Sequence, residues 1–197
     1  MTSNFSFFLC LLGLSFFLIG WAHRNQRFAR WDQVVFLKLN LFFRKNQFTP
    51  FFRIAWPLGT TPFMLALILF LLVSDWKTGL VVGVVFLLSA LLESTIKKFV
   101  KRPRPFETIT EIPVEQPRKP RDSSFPSGDC LRIWFLALTF PFIFHFSWFL
   151  ILPSLLLAVF VSFGRIGLGV HYFLDVLAGT GMGVFFAGVF WLVFPFL

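Results

Sequence analysis

The sequence predicts an all-α integral membrane protein with six transmembrane helices, folded as a single domain over residues 1–197. Its composition is 57% hydrophobic and 14% charged, whereas soluble domains carry about 25% charged residues. The mean hydropathy of +0.79 and several apolar runs long enough to span a bilayer agree with this class. The composition excludes both a soluble globular protein and a disordered chain.

Each predicted helix corresponds to an apolar run, and the first of these is Phe5–Ala22. This run lacks the basic start and the small-residue cleavage site of a signal peptide, so we expect a retained helix. The apolar stretch 126–163 exceeds the roughly 20 residues of one span, and His145-Phe146-Ser147 divides it into two short helices. The other predicted spans are Ile54–Val73, Leu80–Ile96 and Phe173–Leu197.

The basic residues gather on one side of the predicted bundle. With six spans, three connections share that side: Arg24–Arg53, Lys97–Phe125 and Gly164–Tyr172. These connections and the adjoining helix ends hold 17 of the 18 Lys and Arg residues, and only Lys77 faces the other side. Such an excess is typical either of a cytoplasmic face, by the positive-inside rule, or of a surface that binds anions.

The net charge of +9 would suggest nucleic acid in a soluble protein, but here the basic residues flank membrane spans. We therefore expect the bilayer as a partner and anionic lipid headgroups and phosphates as the first candidate ligands, with no nucleic acid and no obligatory protein partner. Cys10 and Cys130 lie in or beside apolar runs without CxxC spacing, which predicts neither a zinc site nor a disulfide. No metal and no cofactor is expected.

Two connecting segments on the basic side leave their roles open. Trp31–Phe43 is weakly amphipathic, which fits either a helix lying flat at the interface or a buried connector. The loop Thr108–Ser124 either covers a bound headgroup or is a variable connector. Lys98, Lys101 and Arg102 lie near a helix end, where such residues are most often interfacial anchors.

Three groups of residues on this side suit an anion. Lys97 and Arg104 follow the third span, and Ser127 and Gly128 open the fourth. A helix start offers free N–H groups and a positive dipole end, and glycine permits close approach of a ligand. In the third group, Arg165 adds a planar guanidinium that can bind phosphate oxygens in bidentate fashion.

His171 and Asp175 belong to the third group. Their i,i+4 spacing predicts a shared helical face, so that Asp175 can hold one imidazole nitrogen while the other attacks phosphorus. Asp175 also needs a partner, because an unpaired carboxylate is costly in apolar surroundings. Glu93, four residues before Lys97, is placed to pair with that amine.

These groups resemble the motifs of the type-2 phosphatidic acid phosphatase family, K-x6-R-P, P-S-G-H and S-R-x5-H-x3-D. Order, spacing and placement at one membrane interface all agree, and the six-helix layout extends the resemblance over most of the chain. The matching residues are Lys97, Arg104, Pro105, Pro126, Ser127, Gly128, Arg165, His171 and Asp175.

The resemblance implies a metal-independent lipid phosphatase with its active site at one membrane interface. His171 would be the nucleophile that forms a phosphohistidine, and Asp175 would orient it. The substrate would be a lipid phosphate or diphosphate, such as undecaprenyl diphosphate, phosphatidylglycerol phosphate, phosphatidate or a lipid A phosphate. The groups that would hold the phosphoryl oxygens are Lys97, Arg104, Ser127, Gly128 and Arg165.

Two positions depart from the family motifs. Gly164 stands where the family has Ser, and Asp129 replaces the second-motif His, the general acid that protonates the leaving oxygen in the family. Three interpretations stay open: Asp129 acts as the acid with a raised pKa, the leaving group needs no acid, or the site is impaired and Asp129 is a helix-start carboxylate near Arg132. His23 lies on the same side and is a further candidate acid, although a solvated interfacial residue is the simpler interpretation.

Two other functions involve the same site. A lipid phosphotransferase would pass the phosphoryl group to a lipid hydroxyl, and a non-catalytic relative would bind phospholipid without turnover. For location, the resemblance indicates the periplasmic side of a bacterial inner membrane, whereas the positive-inside count indicates the cytoplasm. We follow the resemblance, because headgroup binding explains part of the charge excess.

Overall fold

A computed structural model describes residues 3–144 and 148–194, and every regular element in these ranges is helical. The all-α class is therefore confirmed. In chain order the helices are α1 (Ser3–Trp21), α2 (Gln26–Lys45), α3 (Thr49–Ala55), α4 (Thr61–Ser74), α5 (Trp76–Val100), α6 (Pro105–Thr108), α7 (Gly128–Ile143), α8 (Ile151–Gly167) and α9 (Phe173–Val193).

Three of the described helices, α1, α5 and α9, are each long and apolar enough to cross a membrane. α3 and α4 pass the same test as a pair bent by 45°. α7 and α8 have 16 and 17 residues, fewer than the roughly 20 of an average span. The protein is an integral membrane protein, and the count of six spans stays a prediction. The predicted division at His145-Phe146-Ser147 and the end of the last predicted span lie outside the described residues.

Proline sets the bend between α3 and α4. Pro57 and Pro62 lie on either side of the break, and neither can donate a backbone hydrogen bond. Thr60 between them is extended, with φ −83° and ψ 155°. The break leaves the Gly59 carbonyl oxygen free to accept a hydrogen bond from Nε of Arg132, on α7, at 2.7 Å. The bend therefore brings α3 and α4 against the start of α7.

α9 lies at the centre of the bundle, and α1 packs closely along it. Small residues permit this approach, as is common between membrane helices. A Cβ at Gly13 would lie 2.5 Å from the Gly181 carbonyl oxygen, and a Cβ at Gly181 would lie 2.5 Å from that of Gly13. The outer faces of α1, α4 and α5 expose apolar side chains such as Leu11, Leu69 and Leu87, as a surface in contact with lipid does.

α2 covers the end of the bundle where the basic residues gather. Its buried residues are Asp32, Phe36, Asn40 and Phe43. Their spacing of three and four places them on one helical face. Nδ2 of Asn40 donates to the carbonyl oxygens of Ile166 and Gly167, at 2.9 and 3.0 Å. The predicted segment Trp31–Phe43 is therefore part of an amphipathic helix whose inner face packs against α8 and α9.

Candidate active site

A cleft of about 350 Å³ opens at the basic end of the bundle, where the α3–α4 break faces α5, α7 and the connection from α8 to α9. Ser127 and Asp175 do not line the cleft but are buried behind it. The backbone N–H of Ser127 donates to the backbone carbonyl oxygen of Asp175 at 3.0 Å. The three groups of residues singled out in the sequence therefore meet in one place. The predicted site residues that line the cleft are Lys97, Arg104, Gly128, Asp129, Arg165 and His171.

His171 lies in the turn before α9, and both of its ring nitrogens have partners. Nδ1 is 2.7 Å from the Ser124 carbonyl oxygen, which can only accept, so Nδ1 carries the proton. Nε2 is then the unprotonated nitrogen, 3.3 Å from Nη1 of Arg104. Burial, assisted by the Arg104 charge, lowers the pKa of His171 to about 4. The imidazole is therefore neutral near pH 7, as a nitrogen nucleophile must be.

Asp175 makes no direct hydrogen bond to the His171 ring. It is connected to the ring through Ser124. Its Oδ2 is 3.9 Å from His171 Nδ1 and accepts instead from Ser124 Oγ at 2.5 Å and Tyr172 N–H at 2.9 Å. The prediction that His171 and Asp175 share a helical face is wrong, because α9 begins after His171. Gly169, with φ +79°, turns the chain just before the ring.

Lys97 and Arg104 share the carboxylate of Asp122, which lies in the loop before α7. Lys97 Nζ is 2.6 Å from Asp122 Oδ2 and 2.8 Å from Glu93 Oε1, so the predicted Glu93–Lys97 pair is confirmed. Arg104 donates to Asp122 Oδ1 at 2.7 Å and to the Val170 carbonyl oxygen at 2.9 Å. Burial favours the neutral acid, but the two cations outweigh it and hold the pKa of Asp122 below its ordinary value.

Arg165 is buried in the cleft wall and only partly hydrogen-bonded. Its Nη2 lies 3.0 Å from Asp129 Oδ2 and also contacts the Gln116 side chain. Nε and Nη1 of Arg165 have no hydrogen-bond partner among the described residues, and the same is true of Ser127 Oγ. Buried donors are rarely left without partners, and a planar guanidinium suits the oxygens of a phosphate group.

Asp129 lies in the first turn of α7, between two guanidinium groups. Its Oδ1 is 3.0 Å from Arg132 Nη2, and its Oδ2 is 3.0 Å from Arg165 Nη2. Arg132 is fixed in turn by Glu93 Oε2 at 3.1 Å and by the Gly59 carbonyl oxygen. Because each Asp129 oxygen is ion-paired with a guanidinium, the group is an ionised carboxylate without a proton to donate. The geometry therefore favours the two interpretations in which Asp129 is not a general acid.

Several residues that shape the site were missed or misread from the sequence. Arg102, expected to be an anchor, lies between the carboxylates of Asp32 and Asp175, so that prediction was wrong. The partner of Arg104, Asp122, belongs to no motif. One signal for Asp122 was available: the chain has only nine acidic residues, and a carboxylate near a membrane needs a charged partner. His23 does not line the cleft; its Nδ1 is 2.9 Å from the Gly20 carbonyl oxygen.

The family model of the PAP2 superfamily matches residues 78–197, which include all three groups of site residues. The chain belongs to the PAP2 superfamily. Among solved PAP2 structures, the fold is similar to the transmembrane PAP2 type phosphatidylglycerolphosphate phosphatase from Bacillus subtilis, with a TM-score of 0.74 and 25% identity over 95% of this chain and 94% of that chain. Aquifex aeolicus LpxE has a similar fold, with a TM-score of 0.69 and 24% identity over 80% of this chain and 92% of that chain.

A curated relative of this PAP2 chain is the undecaprenyl-diphosphatase of Sulfolobus acidocaldarius. The two are 34% identical over 111 residues, which make up 54% of this chain and 50% of the relative. The chain thus spans about half the length of that relative.

Proposed function

We propose that this PAP2 protein is a lipid phosphatase that removes the terminal phosphate of a lipid diphosphate through a phosphohistidine at His171. The observation that carries the proposal is the neutral His171 ring, whose Nε2 lies beside Arg104 in the cleft. The unpaired donors of Arg165 lie in the wall of the same cleft. A buried nitrogen nucleophile next to unsatisfied cationic donors suits an incoming phosphoryl group.

The reaction proceeds in two displacements. Nε2 of His171 attacks the terminal phosphorus, and the bond from that phosphorus to the bridging oxygen breaks, with the electron pair leaving on the lipid monophosphate. Lys97, Arg104, Arg165 and the N–H groups at the start of α7 hold the oxygens while charge is redistributed. Water then attacks the phosphohistidine, and the N–P bond breaks with its electron pair returning to Nε2. Inorganic phosphate leaves with both protons of the water.

The state of Asp129 supports a diphosphate as substrate. Its two ion pairs leave it without a proton for the leaving group. A departing phosphate, with a second pKa of about 6, needs far less protonation than a departing alkoxide, because the stability of the leaving group sets the demand for an acid. The name of the Sulfolobus acidocaldarius relative, an undecaprenyl-diphosphatase, supports the same substrate class. That of the Bacillus subtilis enzyme supports a lipid phosphate more generally.

We further propose that the cleft faces the extracytoplasmic side of the cell membrane. The positive-inside rule counts basic residues in connecting loops. Several of the basic residues on this side are buried in the site, among them Arg104, Arg132 and Arg165. Binding of an anionic headgroup therefore accounts for part of the charge excess.

The first test is phosphate release by the purified protein from a prenyl diphosphate and from the monophosphate with the same chain. We expect one equivalent of phosphate from the diphosphate, little from the monophosphate, and none from His171→Ala. An acid-labile phosphoenzyme should accumulate from labelled diphosphate in the wild type and be absent from His171→Ala. Equal rates on both lipids would show that an acid does operate.

Two other results would point to the alternative functions. Phosphate transfer that depends on an added lipid hydroxyl would identify a phosphotransferase. Phospholipid binding that survives His171→Ala, with no turnover in either protein, would identify a non-catalytic relative.

Orientation is tested separately by cysteine labelling in intact cells. In a background without Cys10 and Cys130, Lys119→Cys places a thiol on the exposed loop beside the cleft, and Lys77→Cys places one at the opposite end of the bundle. A membrane-impermeant maleimide should label the first and not the second. The reverse pattern would place the site in the cytoplasm.

A further inference from the structure

A chain of buried charges connects α2 to the turn that carries His171. We propose that Asp32 is a positioning residue for the nucleophile and acts through Arg102, Asp175 and Ser124. This inference rests on the proposed function, in which His171 is the nucleophile. Asp32 lies in the first connection of the chain, outside residues 78–197 that the family model matches.

Asp32 holds two parts of the site at once. Its side chain is fully buried, and its Oδ2 is 2.7 Å from Nη2 of Arg102. Its Oδ1 accepts the backbone N–H of Leu174 at 3.0 Å, one of the free donors at the start of α9. The carboxylate therefore fixes both the arginine and the helix end that follows His171.

Arg102 carries this constraint to Asp175. Its Nη1 lies 2.5 Å from Asp175 Oδ1, and its guanidinium carbon is 4.3 Å from the centroid of the Tyr172 ring. The plane of the guanidinium is thus set by two carboxylates and one aromatic face. Lysine cannot replace such a group, because an ammonium has no rigid pair of donors.

Asp175 completes the path to the imidazole. It accepts the hydroxyl of Ser124, whose carbonyl oxygen accepts Nδ1–H of His171 at 2.7 Å. That bond determines which ring nitrogen keeps the proton, and hence that Nε2, beside Arg104 in the cleft, carries the lone pair. Loss of the Asp32 charge would leave Arg102 paired to Asp175 alone and free to shift it.

A purely structural role is a poor explanation for Asp32. Burying an ion pair costs desolvation energy, and apolar side chains of similar volume often stabilise a protein as well or better. The value of the buried carboxylate lies in the fixed geometry that it gives to Arg102 and α9.

The test uses the full chain and Asp32→Asn, which keeps the shape and removes the charge. We expect kcat on the lipid diphosphate to fall about tenfold or more, by analogy with the outer-shell partners of metal-bound histidines, while KM stays within about twofold. Glu111→Gln, which removes an exposed carboxylate, is the matched control and should have no effect. If Asp32→Asn fails to fold, Arg102→Lys should give the same selective loss of kcat.

A double-mutant comparison separates a positioning role from a general loss of folding. Asp32→Asn combined with Asp175→Asn should lose little more kcat than Asp175→Asn alone, because both changes act on one path. Losses that multiply, a rise in KM equal to the fall in kcat, or an unchanged kcat in folded Asp32→Asn would each overturn the proposal.

A measurement without substrate separates failure of this inference from failure of the proposed function. In ¹⁵N-histidine-labelled protein, the His171 signals should show the Nδ1–H tautomer in the wild type and a mixed population in Asp32→Asn. An unchanged tautomer in Asp32→Asn would reject the positioning role whatever the substrate is. A changed tautomer in a protein that releases no phosphate would reject only the proposed function.

Discussion

Asp122 and Arg104 form an ion pair, with Oδ1 2.7 Å from Nη2, inside the cleft where the phosphate of the substrate is expected to bind. The other oxygen of the same carboxylate pairs with Lys97. From the same loop, Gln116 contacts Arg165. One loop thus supplies partners to all three cations assigned to phosphate binding, and a phosphate that enters must displace them.

Asp122→Asn should therefore strengthen the binding of anions. Loss of a half-exposed ion pair is worth about 1 kcal/mol, so inhibition by inorganic phosphate should become about fivefold tighter. KM for the lipid substrate should fall in the same direction. Inhibition constants for wild type and Asp122→Asn give the answer, with Glu111→Gln as the charge-matched control. Weaker inhibition in Asp122→Asn would mean that this carboxylate organises the cations and does not compete with phosphate.

Asp129→His should give the protein activity on lipid monophosphates. A positioned general acid typically contributes about 10²-fold or more, and a histidine at this position would complete the motif that the sequence resembles. We expect the ratio of monophosphate to diphosphate turnover to rise at least tenfold, measured as phosphate release. Asp129→Asn, which lacks a titratable proton, is the control and should leave the ratio unchanged. A ratio that rises equally in both variants would contradict an acid effect.

The His171 ring should stay neutral to unusually low pH. Its pKa is lowered to about 4 from 6.5 by burial, with Arg104 adding to the effect. Histidine chemical shifts followed from pH 7 to pH 4 should show the His171 ring titrating near pH 4. The His171 signal is the one that is missing from the spectrum of His171→Ala. Arg104→Gln removes the nearby cation and should raise the pKa. A midpoint near 6.5 in the wild type would show that the ring is solvated.

The same shift predicts how stability depends on pH. Between pH 6.5 and about 4 the unfolded chain binds a proton at His171 that the folded chain does not, so stability falls as the pH falls. Wild type should therefore lose more thermal stability than His171→Ala between pH 7 and pH 5. Equal losses in the two proteins would exclude His171 as the source.

Gly128→Ala should disrupt the charged network of the cleft. A Cβ at this position would lie 2.0 Å from Glu93 Oε1, so Glu93 must move away from Lys97 and Arg132. Overpacking of this kind costs about 1 to 3 kcal/mol, and both the melting temperature and kcat should fall. Gly83→Ala on α5, where the nearest atom is 3.5 Å from the added Cβ, is the matched control. If Glu93→Ala does not lessen the effect of Gly128→Ala, the overlap is not its cause.

The sequence was sufficient to predict the all-helical membrane class and the meeting of three motifs, because apolar runs and motif spacing are local properties of the chain. The partners of the charged residues were not predictable in the same way. Arg102 meets Asp32 across 70 residues, and nothing in the local pattern distinguishes it from Lys98 or Lys101. The contact between His171 and Ser124 depends on a turn at Gly169, and the i,i+4 rule assumed a helix there.

The pairing of α1 with α9 has a consequence for the making of the protein. α1 leaves the ribosome before the other described helices, yet α9, its main partner among them, is made after all of them. Until α9 is made, the face of α1 that carries Gly13 and Gly20 must therefore contact lipids or other helices. The cations of the cleft are also complete before the turn with His171 exists. A chain that ends before this turn has the cations but lacks the proposed nucleophile, so on the proposed mechanism activity requires α9 to be in place.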